Sequence, residues 1–285
     1  MSSNITEVDV TATSTATRTG NLAVAGATLY YEIRGSGPLL ALHAAPMDSA
    51  SFAPAADLLA EHFTVLTGDP RGIGRSDVDD RNADVTPDQR ADDLGRLIEQ
   101  VDAGPAIVFG SSGGAVSALA LLQRLPHLVS TVVAHEPPLA ELVDDREELR
   151  VAHDELVATY LTGDRRAYWA EFLAIANIEL PDFVFEAIAG GSIDASQAAD
   201  ERFAVLHMDN QTTFWKPDLT RLRAAAPRIV IGIGEESAGQ LCDRTSRALA
   251  AALGLEPTLF PGDHIGFAED PSAFAHRLRA VLAAG

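Results

Sequence analysis

The chain has 285 residues, of which 47% are hydrophobic and 22% charged, enough apolar material for a sizeable core and too ordinary a charge content for global disorder. A net charge of −20 at pH 7 argues against nucleic acid and membrane surfaces as partners, since polyanions repel an acidic protein. The single cysteine, Cys242, excludes an internal disulfide and a CxxC metal site; it reads as a small buried apolar residue, and the cysteine usage fits a reducing, cytoplasmic setting.

Residues 1–21 are rich in Ser and Thr, carry neither the basic nor the apolar region of a secretory signal, and read as a flexible arm. From residue 22 short apolar runs alternate with helical patterns. Thr28–Arg34, Leu39–His43 and Phe63–Gly68 read as strands. Pro87–Val101 has helical spacing, with Leu94, Leu97, Ile98 and Val101 on one face. Strand Pro105–Gly110, helix Gly113–Leu125 and strand Leu128–Ala134 follow. The rhythm then changes. Residues 140–226 show no strand, but helical stretches at Glu141–Leu161, Asp164–Asn177 and Pro181–Ile188 and much of the aromatic content. Strand Arg228–Ile233, helix 240–253, strand Pro257–Phe260 and a final helix from Pro271 restore the alternation. Strands alternating with helices predict an α/β fold with a mainly parallel sheet covered on both faces. The expected organisation is an arm (1–21), a core (22–139 and 227–285) and a helical cap (140–226).

Gly110-Ser111-Ser112-Gly113-Gly114 has the form G-x-S-x-G between a strand and a helix, the setting of a nucleophile elbow. Ser112 is the expected nucleophile, with the N–H groups of the helix start available to an oxyanion. Ser111, at the wrong elbow position, reads as packing. A serine hydroxyl needs a base. Among eight histidines, only His264 lies in a short loop after a late strand, flanked by Gly262 and Gly266.

At this point the chain resembles the α/β-hydrolase superfamily. Asp69-Pro70-Arg71-Gly72-Ile73-Gly74-Arg75-Ser76 is similar to its D-x-R-G-x-G-x-S segment, and His43-Ala44-Ala45-Pro46 resembles its H-G-x-P turn, with Ala44 in place of glycine. The resemblance implies that the backbone N–H groups of Ala45 and Gly113 form an oxyanion hole, and that His43 supports the turn. The usual place of the triad acid, after the strand at 228–233, reads Gly234-Glu235-Glu236-Ser237, with serine where aspartate stands in the family. Glu236 is one candidate for the acid. The other is Glu136, at the end of the preceding strand in His135-Glu136-Pro137-Pro138. The zearalenone lactonases, a branch of the superfamily, are similar around the elbow and in a His-Glu-x-Pro segment whose glutamate is their acid. That likeness implies Glu136.

The expected function is cleavage of a small apolar carboxylic ester or lactone, a zearalenone-type macrolactone being the substrate that the resemblance suggests. The chemistry needs no metal or organic cofactor. Trp169 and Trp215 are the expected substrate contacts in the cap. A cofactor-free perhydrolase or acyl transferase would share Ser112 and His264, and a non-catalytic ligand-binding protein is the remaining alternative. A homo-oligomer is compatible with the sequence.

Overall fold

The computed structural model describes residues 16–284. Among these, nine strands form one sheet: β1 (Arg18–Val24), β2 (Ala27–Arg34), β3 (Leu39–Ala45), β4 (Thr64–Gly68), β5 (Asp77–Val78), β6 (Ala106–Ser112), β7 (Val129–His135), β8 (Arg228–Gly234) and β9 (Thr258–Phe260). The order across the sheet is β1-β2-β4-β3-β6-β7-β8-β9, with β5 paired to β2. β1, β2 and β5 pair antiparallel, and every pair from β4 to β9 is parallel.

The helices are α1 (Ala53–Leu59), α2 (Pro87–Val101), α3 (Gly113–Arg124), α4 (Arg146–Leu161), α5 (Arg165–Ala176), α6 (Asp182–Ala189), α7 (Ala195–Phe203), α8 (Asp209–Thr213), α9 (Leu219–Ala224), α10 (Leu241–Leu253), α11 (Gly266–Glu269) and α12 (Pro271–Ala283). A π-helical turn, Ala204–Met208, joins α7 to α8. None of the described helices is long and apolar enough to cross a membrane.

Period-2 alternation sends the strand residues to two apolar layers. Ala41, Leu66, Val108, Val132 and Ile231 pack with α2, α3 and α10. Leu40, Leu42, Val65, Phe109, Val133 and Val230 face the other way, onto α1 and α12. The central strands are buried on both faces, as a parallel sheet requires.

Of the arm expected over 1–21, residues 1–15 lie outside the described residues, and Arg18–Asn21 belong to β1 instead of to an arm. The edge strand is hard to see because its exposed positions are Arg18, Thr19, Asn21 and Ala23, with no apolar run to announce it. Residues 140–226 fold as helices between β7 and β8, without a strand among them. This insertion is tied to the core by polar bonds. Gly74 N–H donates to Asp200 at 2.8 Å, Val85 N–H to the His207 carbonyl at 2.8 Å, and Asp218 N–H to Gln123 at 2.9 Å.

The Asp69–Ser76 motif is part of the same frame. Asp69 accepts from the Ser49 N–H and hydroxyl and from the Arg75 N–H and guanidinium at 2.6–2.9 Å. Arg71 grips Asp93 of α2 with two hydrogen bonds of 2.6 and 2.5 Å. These bonds to the buried Asp69 and Asp93 fix the loop after β4.

Candidate active site

β6 enters and α3 leaves the sheet edge through Gly110–Gly114. The turn places Ser112 at φ 55° and ψ −125°, a left-handed region that a non-glycine residue occupies only under constraint. The constraint is visible at Gly114, where a Cβ would lie 2.2 Å from the His43 carbonyl oxygen: helix and β3 touch backbone to backbone. Ser112 is half-buried. In the ladder it stands opposite Ala45, the last residue of β3. Gly113 begins α3, so its N–H has no partner within the helix. Ala45 and Gly113 therefore flank the serine.

β7 ends at the same edge, and the next residue, Glu136, also has positive φ, 51°. Its carboxylate is fully buried. Oε1 accepts from the Gly234 N–H at 2.7 Å, and Oε2 lies 2.5 Å from His264 Nδ1. Burial pushes such a group toward its neutral form. The His264 hydrogen bond, the charges of His135 and His264 and the neighbouring Ser237 hydroxyl outweigh burial and hold it down to about 2. Ser237, which occupies the family's usual acid position, is itself fully buried. Among the described residues its hydroxyl makes no hydrogen bond of good geometry, so its help to Glu136 is that of a nearby dipole.

His264 hangs in the loop between β9 and α11. Gly262 (φ 77°) turns the loop, and a Cβ at Gly266 would lie 2.2 Å from the Pro261 carbonyl oxygen, so the ring of backbone closes only with glycine there. Asp263 accepts from the Ile265 N–H at 2.9 Å, which occupies its carboxylate within its own loop. Burial lowers the His264 pKa, but the Cys242 thiol and the Glu136 carboxylate beside it raise it well above 6.5.

The structure thus joins His264 to Glu136 and leaves Glu236 outside: that side chain is exposed, and its backbone N–H donates to the Gly262 carbonyl. Among the described residues, no hydrogen bond joins Ser112 Oγ to His264. His43 is buried and held down to about 3 by burial, with the Arg90 cation adding to the effect, so it stays neutral beneath the turn. Ser111 pairs through Oγ with Nδ1 of the buried His135 at 3.1 Å.

The two tryptophans lie elsewhere. Trp169 packs with Leu156, Tyr168, Phe172 and Val205 in the insertion's own core, its buried indole N–H without a partner among the described residues. Trp215 packs against the main core and lines an outer cleft of about 370 Å³ with Arg150, Phe214 and Lys216. No ring contact or hydrogen bond among the described residues links either to Ser112, His264 or Glu136.

Three neighbours of the elbow escaped the sequence reading. Arg90 is 1% exposed; its Nε donates to Ser117 Oγ at 3.0 Å and its Nη2 to Thr212 Oγ1 at 2.7 Å. Ser117 in turn donates to the Gly113 carbonyl at 3.0 Å, and the Thr212 methyl packs beside Gly113. Arg90 lies four residues before Leu94, on the apolar stripe of α2, which was the available signal. Cys242 was misjudged as well. It is half-buried, and its sulfur, a His264 ring nitrogen and a Glu136 oxygen lie within 4.8 Å of one another.

The sequence and the fold were compared with known proteins. A family model described as alpha/beta hydrolase fold matches residues 37–188, more than half of the chain. The chain is 29% identical over 264 residues to the uncharacterized hydrolase YraK of Bacillus subtilis (strain 168), covering 92% of this chain and 95% of that one. It is 26% identical over 266 residues to a zearalenone hydrolase of Bionectria ochroleuca, covering 88% of this chain and 92% of that one. Among solved structures, Est816, described as an N-acyl homoserine lactone degrading enzyme, superposes with a TM-score of 0.71 at 18% identity, covering 92% and 99% of the two chains. The sheet order, the elbow and the family match agree, and the chain belongs to the α/β-hydrolase family, as an enzyme of the hydrolase class.

Proposed function

We propose that the chain hydrolyses a carboxylic ester or lactone through an acyl-enzyme on Ser112. The observation that carries this reading is the bond of 2.5 Å between the buried Glu136 carboxylate and His264 Nδ1, at the sheet edge where the elbow presents Ser112. With Nδ1 engaged, the neutral imidazole presents Nε2 as its acceptor. The gap between Ser112 and His264 closes in the substrate complex, because hydrogen bonds of this kind tighten when the reacting groups are in place.

His264 takes the Ser112 proton as Oγ attacks the carbonyl carbon. The tetrahedral oxyanion is held by the N–H groups of Ala45 and Gly113. The imidazolium, stabilised by Glu136, passes its proton to the leaving alkoxide. Water, deprotonated by the same histidine, then attacks the acyl-enzyme and frees the acid. With a lactone, alcohol and acid remain one molecule.

The helical insertion supplies the substrate surface. The likeness to a zearalenone hydrolase supports a bulky, apolar lactone as substrate. The test is hydrolysis of a short p-nitrophenyl ester and of zearalenone by wild type and Ser112→Ala side by side. Turnover that disappears in the variant is expected, and turnover that survives it would overturn the reading.

A further inference from the structure

Cys242 is the second residue of α10, at the sheet edge that carries His264 and Glu136. We propose that Cys242, His264 and Glu136 form a binding site for a single divalent cation of the zinc class, and that its occupation shuts the enzyme off. The inhibitory half of this inference rests on the catalytic reading above; the binding half does not.

The donor set is a thiol, an imidazole and a carboxylate, the three side-chain types that zinc prefers. Their donor atoms lie within 4.8 Å of one another. Around a tetrahedral zinc ion with bonds of about 2.0–2.3 Å, two donors stand roughly 3.3–3.7 Å apart, so the widest separation closes by little more than about 1 Å at most, and the 2.5 Å contact between Glu136 Oε2 and His264 Nδ1 opens by about 1 Å. The movable partner is His264, in a short loop turned at Gly262. Cys242 is half-buried, which leaves the site a route from solvent, and the ligands offered by water complete the shell.

The charges balance. Binding expels the thiol proton, and the metal takes the place of the proton on Nδ1 between His264 and Glu136, which moves to Nε2. A dication then sits on a thiolate, a carboxylate and a neutral imidazole. The imidazole now carries its proton on the nitrogen that must accept one from Ser112, so the base is blocked.

Titration of the whole protein with Co²⁺ tests the site directly. One equivalent is expected to produce a thiolate-to-cobalt charge-transfer band in the near ultraviolet, displaced by Zn²⁺ and absent in Cys242→Ser and His264→Ala. In parallel, Zn²⁺ is expected to inhibit hydrolysis of a p-nitrophenyl ester, with at least tenfold more zinc needed to halve the rate of Cys242→Ser, each protein being referred to its own zinc-free rate. The absence of the band, or a band unchanged in Cys242→Ser, overturns the site. Equal zinc sensitivity of wild type and Cys242→Ser overturns the inhibition. A band in a protein that hydrolyses neither ester nor lactone supports the site and overturns only the catalytic reading.

Discussion

Two carboxylates compete for one role, and their surroundings separate them. Glu136 is buried, bonded to the Gly234 N–H and to His264, and held down to about 2. Glu236 is exposed to water. Glu136→Gln is therefore expected to lower kcat by about 10³-fold or more, while Glu236→Gln stays within about twofold of wild type. The pH profile adds an independent reading. His264 must be neutral to accept a proton, and its pKa is raised above 6.5, first through Cys242 and then through Glu136. Activity should therefore rise with pH through a midpoint above 6.5, and the residual activity of Glu136→Gln should show that midpoint at lower pH, because the anion that favours the imidazolium is gone. Ser112 and His264 were legible because each stands in a local pattern, a strand–turn–helix and a glycine-flanked loop. The choice of Glu136 over Glu236 was legible only through the likeness of His135-Glu136-Pro137-Pro138 to the lactonases, since by itself it depends on which strand end the His264 loop reaches in space.

At the scale of elements, the elbow is a contact of three backbones, β3, β6 and α3. Gly114→Ala would drive a Cβ to 2.2 Å from the His43 carbonyl oxygen and 2.6 Å from Ala44 Cα, both backbone atoms that cannot swing aside. A destabilisation of about 3 kcal/mol is expected from chemical denaturation, with activity lost in proportion to the displaced serine. A variant as stable as wild type would contradict so close a contact at the elbow. Helix α2 shows why some elements could be read to the residue. Thr86 and Gln89 form a capping box ahead of a continuous apolar stripe, and the expected bounds, Pro87–Val101, are the observed ones. Residues 195–224 could not be read that way. There α7 runs through a π-helical turn into α8, which breaks the 3.6-residue period that a sequence pattern relies on.

For the whole molecule, charge and buried titratable groups set the response to the medium. A net charge of −20 repels anions at long range. Raising the ionic strength should increase kcat/KM for an anionic ester and leave that for a neutral ester unchanged; equal responses would count against a field effect. Stability should fall with acid. Burial lowers the pKa of His43 to about 3, of His135 to about 4, and that of His153 as well. The unfolded chain binds protons on these groups below about 6.5 where the folded chain does not, so their contribution is present above that pH and lost as pH falls. Asp209, raised to about 7 by burial, and Asp93, raised by burial against the pull of Arg71, work in the opposite sense with two protons against three. Tm should therefore drop as pH is lowered from 6.5 to 4.5, and a flat or rising Tm would contradict this balance. Glu136 adds to the loss at still lower pH, as it titrates toward about 2.

The most direct test of the proposed chemistry is rapid-quench intact mass spectrometry of the protein during turnover of a p-nitrophenyl ester. An increase equal to one acyl group, mapped by peptide analysis to Ser112 and absent in Ser112→Ala, is the expected result. Turnover with no adduct on Ser112, or an adduct on the neighbouring Cys242 instead, would contradict a serine acyl-enzyme at this site.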